Sequence, residues 1–290
     1  MLPDRIARAQ EFVWANARLL DRYRFAFHFR DGPLQPVLLA LLAYQNLDGG
    51  FGNALEPDKR DPHSQPVDIQ LALECLDEID AFDSAAVGRV CDYLERISTK
   101  EGGTPFALPS ANDFPHAPWW TVECEEPPPS LNPTAAIAGL LLKHDFDHRW
   151  VKRAASYCRT AIQASETVQF HDLMPMITFL EHVADQCWAK RELSRIAARV
   201  RKPGVVELDP HAGGYLHKPL DWAPSPESFC HTLFEEDVIA LHLDALAERQ
   251  QSDGGWPISW QPISKAVEIE WRGVVTINAL RTLRAYGWNG

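Results

Sequence analysis

Two stretches of this chain share a turn pattern that constrains its fold more than any other feature of the sequence. Residues 45–52 are Gln-Asn-Leu-Asp-Gly-Gly-Phe-Gly, and residues 251–256 are Gln-Ser-Asp-Gly-Gly-Trp. Weaker copies stand at 101–106 and 212–215. Asp-Gly-Gly tolerates positive φ, so the chain can turn sharply after a helix, and the following aromatic side chain packs back over the turn. A turn that recurs at intervals of roughly 50 residues predicts a series of helical hairpins.

Apolar residues recur at helical spacing along the chain and predict ten helices. These run from about 4 to 24, then from 33, 66, 84, 132, 147 and 172, and finally over 188–200, 227–249 and 272–286. Ser84 is the predicted N-cap of the fourth helix, and Asn132 and Pro133 are the predicted start of the fifth. The fifth helix is apolar on every side, so we expect it to be fully buried. No segment alternates in the way that a sheet requires, and the predicted fold class is all-α.

The connections between these helices alternate in length. Short turns join some of them, while long loops rich in Pro, Gly and Trp cover 46–65, 99–131, 202–226 and 251–270. Long loops inside a compact domain are usually functional. This alternation favours stacked hairpins whose functional face carries the long loops. No stretch resembles a flexible Gly/Ser linker, so we predict a single domain over residues 1–290.

The repeated turn resembles the QW repeat of squalene cyclases, and it is similar to the turn before each inner helix in protein prenyltransferase β subunits. The chain also resembles uncharacterised bacterial prenyltransferase-like proteins. That resemblance is carried by residues 48–58, which begin Asp-Gly-Gly-Phe-Gly and end Glu-Pro-Asp, and by Glu-Trp-Arg-Gly at 270–273. The superfamily resemblance implies an α/α toroid with inner and outer rings of helices. It also implies a central cavity, lined with aromatic side chains, that holds an isoprenoid chain.

The chain departs from the catalytic motifs of that superfamily. It contains no Asp-Asp pair, so neither the Asp-x-Asp-Asp acid of class II cyclases nor the class I DDxxD motif is present. Protein prenyltransferases bind zinc through an Asp, a Cys two residues later and a distant His. Asp185, Cys187 and His231 follow that order but lack the family's glycine-rich context. We therefore expect neither zinc nor another cofactor.

The first candidate site lies in the loop before the third helix and contains Glu56, Asp58, Asp61 and His63. A carboxyl group beside apolar cavity walls has a raised pKa and can act as a general acid, so Glu56 and Asp58 are candidate catalytic residues and His63 a candidate substrate contact. The alternative is that these acids cap the loop and pair in solvent with the cations at 59–60.

Two further candidates lie near the start of the predicted ninth helix and on the long loop 99–131, respectively. Asp237 follows two glutamates at 235–236 and is a third candidate catalytic acid, although acids at the start of a helix also favour the helix dipole. Trp119 and Trp120 stand on a proline-rich loop and are candidate walls of a ligand pocket. The alternative is that this loop is anchored to the core by the two rings.

Arg272 is predicted at the N-terminus of the last helix, where the dipole disfavours a cation. An anionic partner is therefore expected. Glu268, Glu270 and Glu56 are the internal candidates, and a ligand carboxylate or phosphate is the alternative. Arg272 is for that reason a candidate substrate-binding residue.

Three further candidate substrate contacts are aromatic or imidazole side chains in the C-terminal part of the chain: His231, Trp260 and Trp271. The chain has ten tryptophans, a number that suits a pocket for an apolar or ring-shaped ligand.

Composition excludes several classes of function. The net charge of −12 repels phosphate backbones, so nucleic acid is not an expected partner. None of the six cysteines forms a Cys-x-x-Cys pair, which suits buried thiols in a reducing compartment. No signal-peptide pattern and no apolar run of roughly 20 residues is present, so we expect a cytoplasmic protein that does not span a membrane.

Three functional hypotheses remain open at this point. The first is a terpenoid cyclase-like or transferase-like protein that binds a hydrophobic small molecule and uses a lone carboxylic acid. The second is a carbohydrate-active enzyme with paired carboxylates and tryptophan platforms. The third is a non-catalytic repeat protein that presents its long loops to a protein partner.

Overall fold

The computed structural model describes residues 1–82 and 85–289. These residues form twelve α-helices, three short 3-10 helices and no strand, which confirms the predicted all-α fold class. The α-helices are α1 (Leu2–Asn16), α2 (Leu19–Phe29), α3 (Leu34–Leu42), α4 (Pro66–Glu78), α5 (Ala85–Ile97), α6 (Leu131–Lys143), α7 (Arg149–Ala164), α8 (Phe170–His182), α9 (Gln186–Val200), α10 (Pro219–Trp222), α11 (Glu236–Glu248) and α12 (Lys265–Ala285). The 3-10 helices are Pro109–Asp113, Pro118–Trp120 and Phe229–Leu233. The predicted N-cap Ser84 lies outside the described residues.

The predicted first helix, from 4 to 24, is wrong, because the chain forms two helices there. Ala17 and Arg18 are extended, with ψ angles of 159° and 158°. The Asn16 amide group donates to the carbonyl oxygen of Phe12 at 2.9 Å and so satisfies an acceptor at the end of α1. A local side-chain bond of this kind ends a helix although the apolar spacing continues.

Two other predicted boundaries also change. The predicted helix 227–249 is a 3-10 turn followed by α11, since Glu235 is extended and precedes the first turn of α11. The predicted helix 272–286 begins earlier, at Lys265, where the Ser264 hydroxyl accepts a hydrogen bond from the amide of Val267 at 3.2 Å. Arg272 therefore lies inside α12, and the dipole argument made for it does not apply.

The buried fifth helix is confirmed as α6. Asn132 has non-helical angles, so the regular helix starts at Pro133 as predicted, and every residue over 133–141 is buried. A helix that is apolar on all sides needs neighbours on all sides, and α6 contacts α4, α7 and α8.

The chain divides into two compact units, which we call the middle unit (residues 41–198) and the terminal unit (residues 1–40 and 199–290). Within the middle unit, α6 contacts α4 and α8 while α5 contacts α7, which gives two layers of helices. Within the terminal unit, α12 contacts α1, α2 and α11 around a core that includes Phe12, Phe25 and Trp256. The single domain over 1–290 and its toroidal arrangement stay predictions.

The repeated turn has the same hydrogen bonds in both strong copies. In the first, the Gln45 side chain donates to the carbonyl oxygen of Gly49, and the amide of Asn46 donates to the carbonyl oxygen of Gly50, both at 2.9 Å. In the second, the Gln250 side chain donates to Gly254 and the amide of Gln251 to the second glycine of the turn, again at 2.9 Å. The glutamine of the second copy that corresponds to Gln45 is therefore Gln250. The comparison of residues 45–52 with residues 251–256 had matched Gln45 with Gln251 instead.

A neighbouring helix closes over each of these two turns. Gly49 and Gly254 have φ angles of 94° and 93°. A Cβ atom at these glycines would lie 2.5 Å from the carbonyl oxygen of Arg89 and 2.1 Å from that of Arg8, respectively. The side chains of the same two arginines donate to the glutamine of the turn. Glycine is therefore required both for its φ angle and for the close approach of a second backbone.

The two weak copies differ from each other. At 99–104, Gly102 has a φ of 99°, the Thr99 amide donates to Gly103 at 3.0 Å, and Arg153 donates to the carbonyl oxygen of Thr99 at 2.6 Å. This stretch is a third copy of the turn. At 212–215 the positive φ falls on the second glycine, Gly214, and no neighbouring atom comes within 4 Å of a Cβ placed there.

None of the helices in the described part of the chain combines the length and the apolar character needed to cross a membrane.

Candidate functional site

The loop between α3 and α4 carries a group of buried polar side chains, which we call the loop cluster. Its backbone is hydrogen-bonded to the segment 115–117, which lies between the first two 3-10 helices. The amide of Ala117 donates to the carbonyl oxygen of Asp58 at 2.8 Å, and the amide of Arg60 donates to that of Pro115 at 2.9 Å. All members of the cluster belong to the middle unit and retain at most 4% of their surface exposed: Glu56, Asp58, Lys59, Asp61, Gln65 and Asp68. Buried polar groups at this density must satisfy one another, and their bonds decide what the site can do.

Asp68 in the first turn of α4 connects the cluster to the helix. Its Oδ1 accepts the backbone amide of Glu56 at 2.8 Å, and its Oδ2 forms an ion pair with the Lys59 ammonium group. Lys59 is fully buried. The alternative in which Lys59 pairs with the loop acids in solvent is therefore wrong. Burial raises the pKa of Asp68, and the charge of Lys59 opposes that rise.

Asp61 accepts the hydrogen bonds of the cluster members and neighbours that do not contact Asp68. Burial acts to raise its pKa, but hydrogen bonds hold that pKa below its usual value. Four groups form these hydrogen bonds to the Asp61 carboxylate. They are the backbone amide of His63 at 2.9 Å, its ring nitrogen Nδ1 at 2.8 Å, the Ser110 hydroxyl at 2.8 Å and the Gln65 side-chain amide at 2.7 Å. The predicted site residue His63 thus bonds Asp61, while 62% of its side chain is exposed.

Glu56 is the acid of the cluster whose burial is least compensated by the hydrogen bonds and charges around it. It is 4% exposed, and its Oε2 is buried with no hydrogen-bond partner among the described residues. Burial raises the pKa of Glu56 to about 8, the charges of Asp68 and Asp58 act in the same direction, and Lys59 opposes them. At neutral pH Glu56 is therefore mostly a neutral carboxylic acid, whereas Asp61 is an anion.

The predicted tryptophan pair is divided between core and surface. Trp120 is 5% exposed and stacks on Phe106, with 4.7 Å between ring centroids and 12° between planes. The Lys59 Nζ atom lies 5.4 Å from the centroid of the Trp120 ring. Trp119 keeps 46% of its surface exposed. Trp120 thus joins the loop cluster, and Trp119 faces solvent.

Arg272 in the terminal unit is bound by residues of its own unit. It is 7% exposed and donates to Asp253 Oδ1 at 2.7 Å and to the carbonyl oxygen of Trp256 at 3.2 Å. Its guanidinium lies 4.4 Å from the centroid of the Phe12 ring. The hydrogen bond from Arg272 lowers the pKa of Asp253. Asp253 belongs to the repeated turn and was not among the partners expected from the sequence.

The other aromatic candidates form two small groups in the terminal unit. Trp260 and Trp271 meet edge to face at 5.2 Å, and Tyr215 adds a third ring 5.8 Å from Trp260. The His231 ring lies 5.7 Å from that of Tyr286. The structure thus brings together the two predicted tryptophans and adds Tyr215 to them.

Asp237 lies exposed in the first turn of α11, where acids favour the helix dipole. Asp185 and Cys187 follow the order of the zinc ligands in prenyltransferases, but the structure gives them other surroundings. Asp185 accepts the amide of Trp188 at 3.1 Å and pairs with Arg159 at 3.0 Å, while Cys187 is exposed. Across 1–82 and 85–289, no three His, Cys, Asp or Glu side chains are grouped as metal ligands.

Sequence reasoning missed Lys59, Gln65, Asp68 and Phe106 as parts of this site. Asp68 carries no distinguishing signal, because an acid in the first turn of a helix is common. Gln65 stands directly before α4, a position where exposed polar residues are common, so its place in the sequence did not indicate that it is buried. Residues 58–60 pair with residues 115–117, and a contact between such distant parts of the chain leaves no local sequence pattern.

Comparison with known proteins adds support for the fold but not for a function. No protein-family model matches the chain, and no curated protein matches it. A crystal structure of a protein from Actinoplanes is similar over 98% of this chain and 100% of that one, with a TM-score of 0.58 and 14% sequence identity. A likeness at that identity extends to the fold alone.

Proposed function

We propose that the loop cluster is an acid centre in which Glu56 donates a proton to a hydrophobic small molecule of the isoprenoid type. The observation that carries this proposal is the state of one carboxyl group. Glu56 is buried, its pKa is raised to about 8, and its Oε2 has no hydrogen-bond partner in the described part of the chain. A general acid works best when its pKa lies near the working pH.

The surroundings of Glu56 suit the chemistry of such a donor. Protonation of an alkene carbon leaves a carbocation on the substrate and a carboxylate on Glu56. The charge of Lys59 favours that carboxylate, and the stacked rings of Trp120 and Phe106 offer the kind of surface that stabilises a cation. Because Glu56 is only 4% exposed, the proposal requires the loop 46–65 to yield when a substrate binds.

The resemblance to squalene cyclases and prenyltransferases supports the isoprenoid class of substrate. Glu56, a single protonated acid among the buried carboxyl groups of the cluster, would take the place of the missing Asp-x-Asp-Asp motif. We propose accordingly that the protein is terpenoid cyclase-like, that it acts in the cytoplasm and that its partner is a small molecule.

A thermal-shift panel followed by product analysis tests the proposal. Wild-type protein and Glu56→Gln are mixed with prenyl alcohols, prenyl diphosphates, oligosaccharides and sugar acids. A ligand at 100 times its dissociation constant adds about 2.7 kcal/mol of stability, enough to move the unfolding midpoint of a chain of this length by roughly 4–5 °C. We expect prenyl compounds to shift both proteins and only the wild type to form product.

Two results would contradict this proposal. A shift with sugars alone would favour the carbohydrate-active alternative, and product formation by Glu56→Gln would remove Glu56 from the role of acid. Glu11→Gln, which changes an exposed glutamate, is the matched control and should behave as the wild type.

A further inference from the structure

A surface cavity of about 840 Å³ lies within the terminal unit, lined by residues of α10, α11, α12 and the end of α2. Its lining combines apolar side chains, among them Leu246 and Val275, with the three arginines Arg249, Arg281 and Arg284. Such a combination is unusual in a chain whose net charge is −12. Concave sites that join apolar walls to a few converging polar groups are typical of small-molecule binding.

Two of these arginines retain hydrogen-bond donors. The Arg249 guanidinium donates to none of the residues that the structure describes, and it stands exposed directly after α11. Arg284 donates to the backbone carbonyl of His28, and its guanidinium lies 4.7 Å from the centroid of the Phe29 ring. A guanidinium has several N–H groups in a planar fork, so both side chains can still bind an oxyanion.

The charges around this cavity also favour an anion. Burial lowers the pKa of Arg284, and the charge of Arg281, one turn earlier on α12, lowers it further. The carboxyl group in the lining belongs to Asp221, whose Oδ2 accepts the backbone amide of Lys218 at 2.7 Å. Burial raises the pKa of Asp221, and the charge of Arg249 opposes that rise, so the three arginines of the lining face one acid. The carbonyl ends of α11 and α12 attract a cation by about half a charge each, which explains one arginine at each end.

We propose that this cavity binds a small amphiphilic anion. Arg249 and Arg284 would hold its carboxylate or phosphate group, and Leu246 and Val275 would contact its apolar part. This site lies in the terminal unit and does not depend on the role proposed for Glu56.

Isothermal titration calorimetry with four probes tests the chemistry of the site. The probes are octyl phosphate, octanoate, octanol and inorganic phosphate. We expect octyl phosphate or octanoate to bind at least about tenfold more tightly than octanol and inorganic phosphate, because only these probes carry both an anion and an apolar chain. Added salt should weaken this binding. The stronger of the two anionic probes identifies the preferred headgroup.

Substitution of the arginines tests the location. Arg249→Gln removes a side chain with no described hydrogen bond and should keep the fold, which circular dichroism checks. We expect Arg249→Gln to weaken binding of the better probe by at least about threefold, and Arg249→Gln with Arg284→Gln by about tenfold or more. Arg201→Gln, at an exposed position, is the control and should bind as the wild type.

Three results would overturn the proposal. These are equal binding of octanol and octyl phosphate, wild-type affinity in a folded double variant, and no binding of any probe to the wild type at millimolar concentration.

Discussion

Asp68 accepts the backbone amide of Glu56 at 2.8 Å, so a carboxylate in the first turn of α4 positions the residue that carries the neutral acid. The second oxygen of the same carboxylate holds the buried ammonium group of Lys59. One side chain thus orders the loop backbone and balances the cation beside it. The properties of Glu56 therefore depend on a residue outside its own loop.

Replacement of Asp68 by Asn should destabilise the protein severely. The amide can still accept the Glu56 hydrogen bond, but it leaves the charge of Lys59 buried and unpaired, which costs roughly 3–5 kcal/mol. Urea denaturation measures the loss. Asp77→Asn weakens two partly exposed pairs, with Lys143 and His144, in the same unit and should cost only about 1 kcal/mol. Equal losses in the two variants would show that the Lys59 charge is not buried as described.

The stability of the protein should depend on pH through Glu56. Its pKa rises from 4.5 in the unfolded chain to about 8 in the fold, so the folded state binds its proton more tightly. This contribution is fully present below the unfolded pKa and is lost as pH rises through the folded one, in total roughly 5 kcal/mol.

Denaturation curves at pH 5–9 for the wild type and Glu56→Gln measure this contribution. The unfolding free energy of the wild type should fall relative to that of Glu56→Gln as pH rises, because the amide does not titrate. Glu11→Gln should follow the wild type at every pH. Parallel curves for the wild type and Glu56→Gln would mean that the pKa of Glu56 is not raised.

The glycines of the repeated turn should not accept alanine. Gly254 has a φ of 93°, and an added Cβ would lie 2.1 Å from the carbonyl oxygen of Arg8. We expect Gly254→Ala to cost about 2 kcal/mol or more. Gly88→Ala is the control, since Gly88 lies within α5 and no atom comes within 4 Å of its added Cβ. Thermal unfolding should show a gain of about 0.5–1 kcal/mol for that control.

Replacement of Arg272 by Lys should destabilise the terminal unit although the charge is kept. A lysine has no planar fork, so it cannot reach both Asp253 and the carbonyl oxygen of Trp256 or stack in the same way on Phe12. The expected loss is about 1–3 kcal/mol by urea denaturation. Arg201→Lys changes an exposed side chain and should leave the midpoint unchanged. A midpoint for Arg272→Lys at the wild-type value would contradict the role of the fork.

Features with a local cause could be predicted from the sequence. The helical spacing indicated the all-α class, and an apolar run after Pro133 indicated a helix buried on every side. The Asp-Gly-Gly turns at 45–51 and 250–256 followed from the backbone freedom of glycine. Where two local signals competed, prediction failed. The bond from Asn16 to Phe12 ended a helix that the apolar pattern continued.

The burial of the charged side chains in the candidate site could not be predicted from local sequence patterns. The sequence selected Glu56 and Asp58 as candidate acids in a functional loop, and Lys59 entered only in the alternative interpretation, as a solvent-exposed partner. The structure places Lys59 against Asp68 and the Trp120 ring, out of reach of water.

The sequence by itself therefore determined the helices, the turns and the chemical types present in each loop. Only the tertiary structure decided which of those groups lose their water. Residues 58–60, beside Glu56, pair with residues 115–117, and no short-range pattern encodes such a contact. The pKa of a carboxyl group follows its desolvation and its neighbouring charges, so the acid identified at Glu56 is a property of the packed fold.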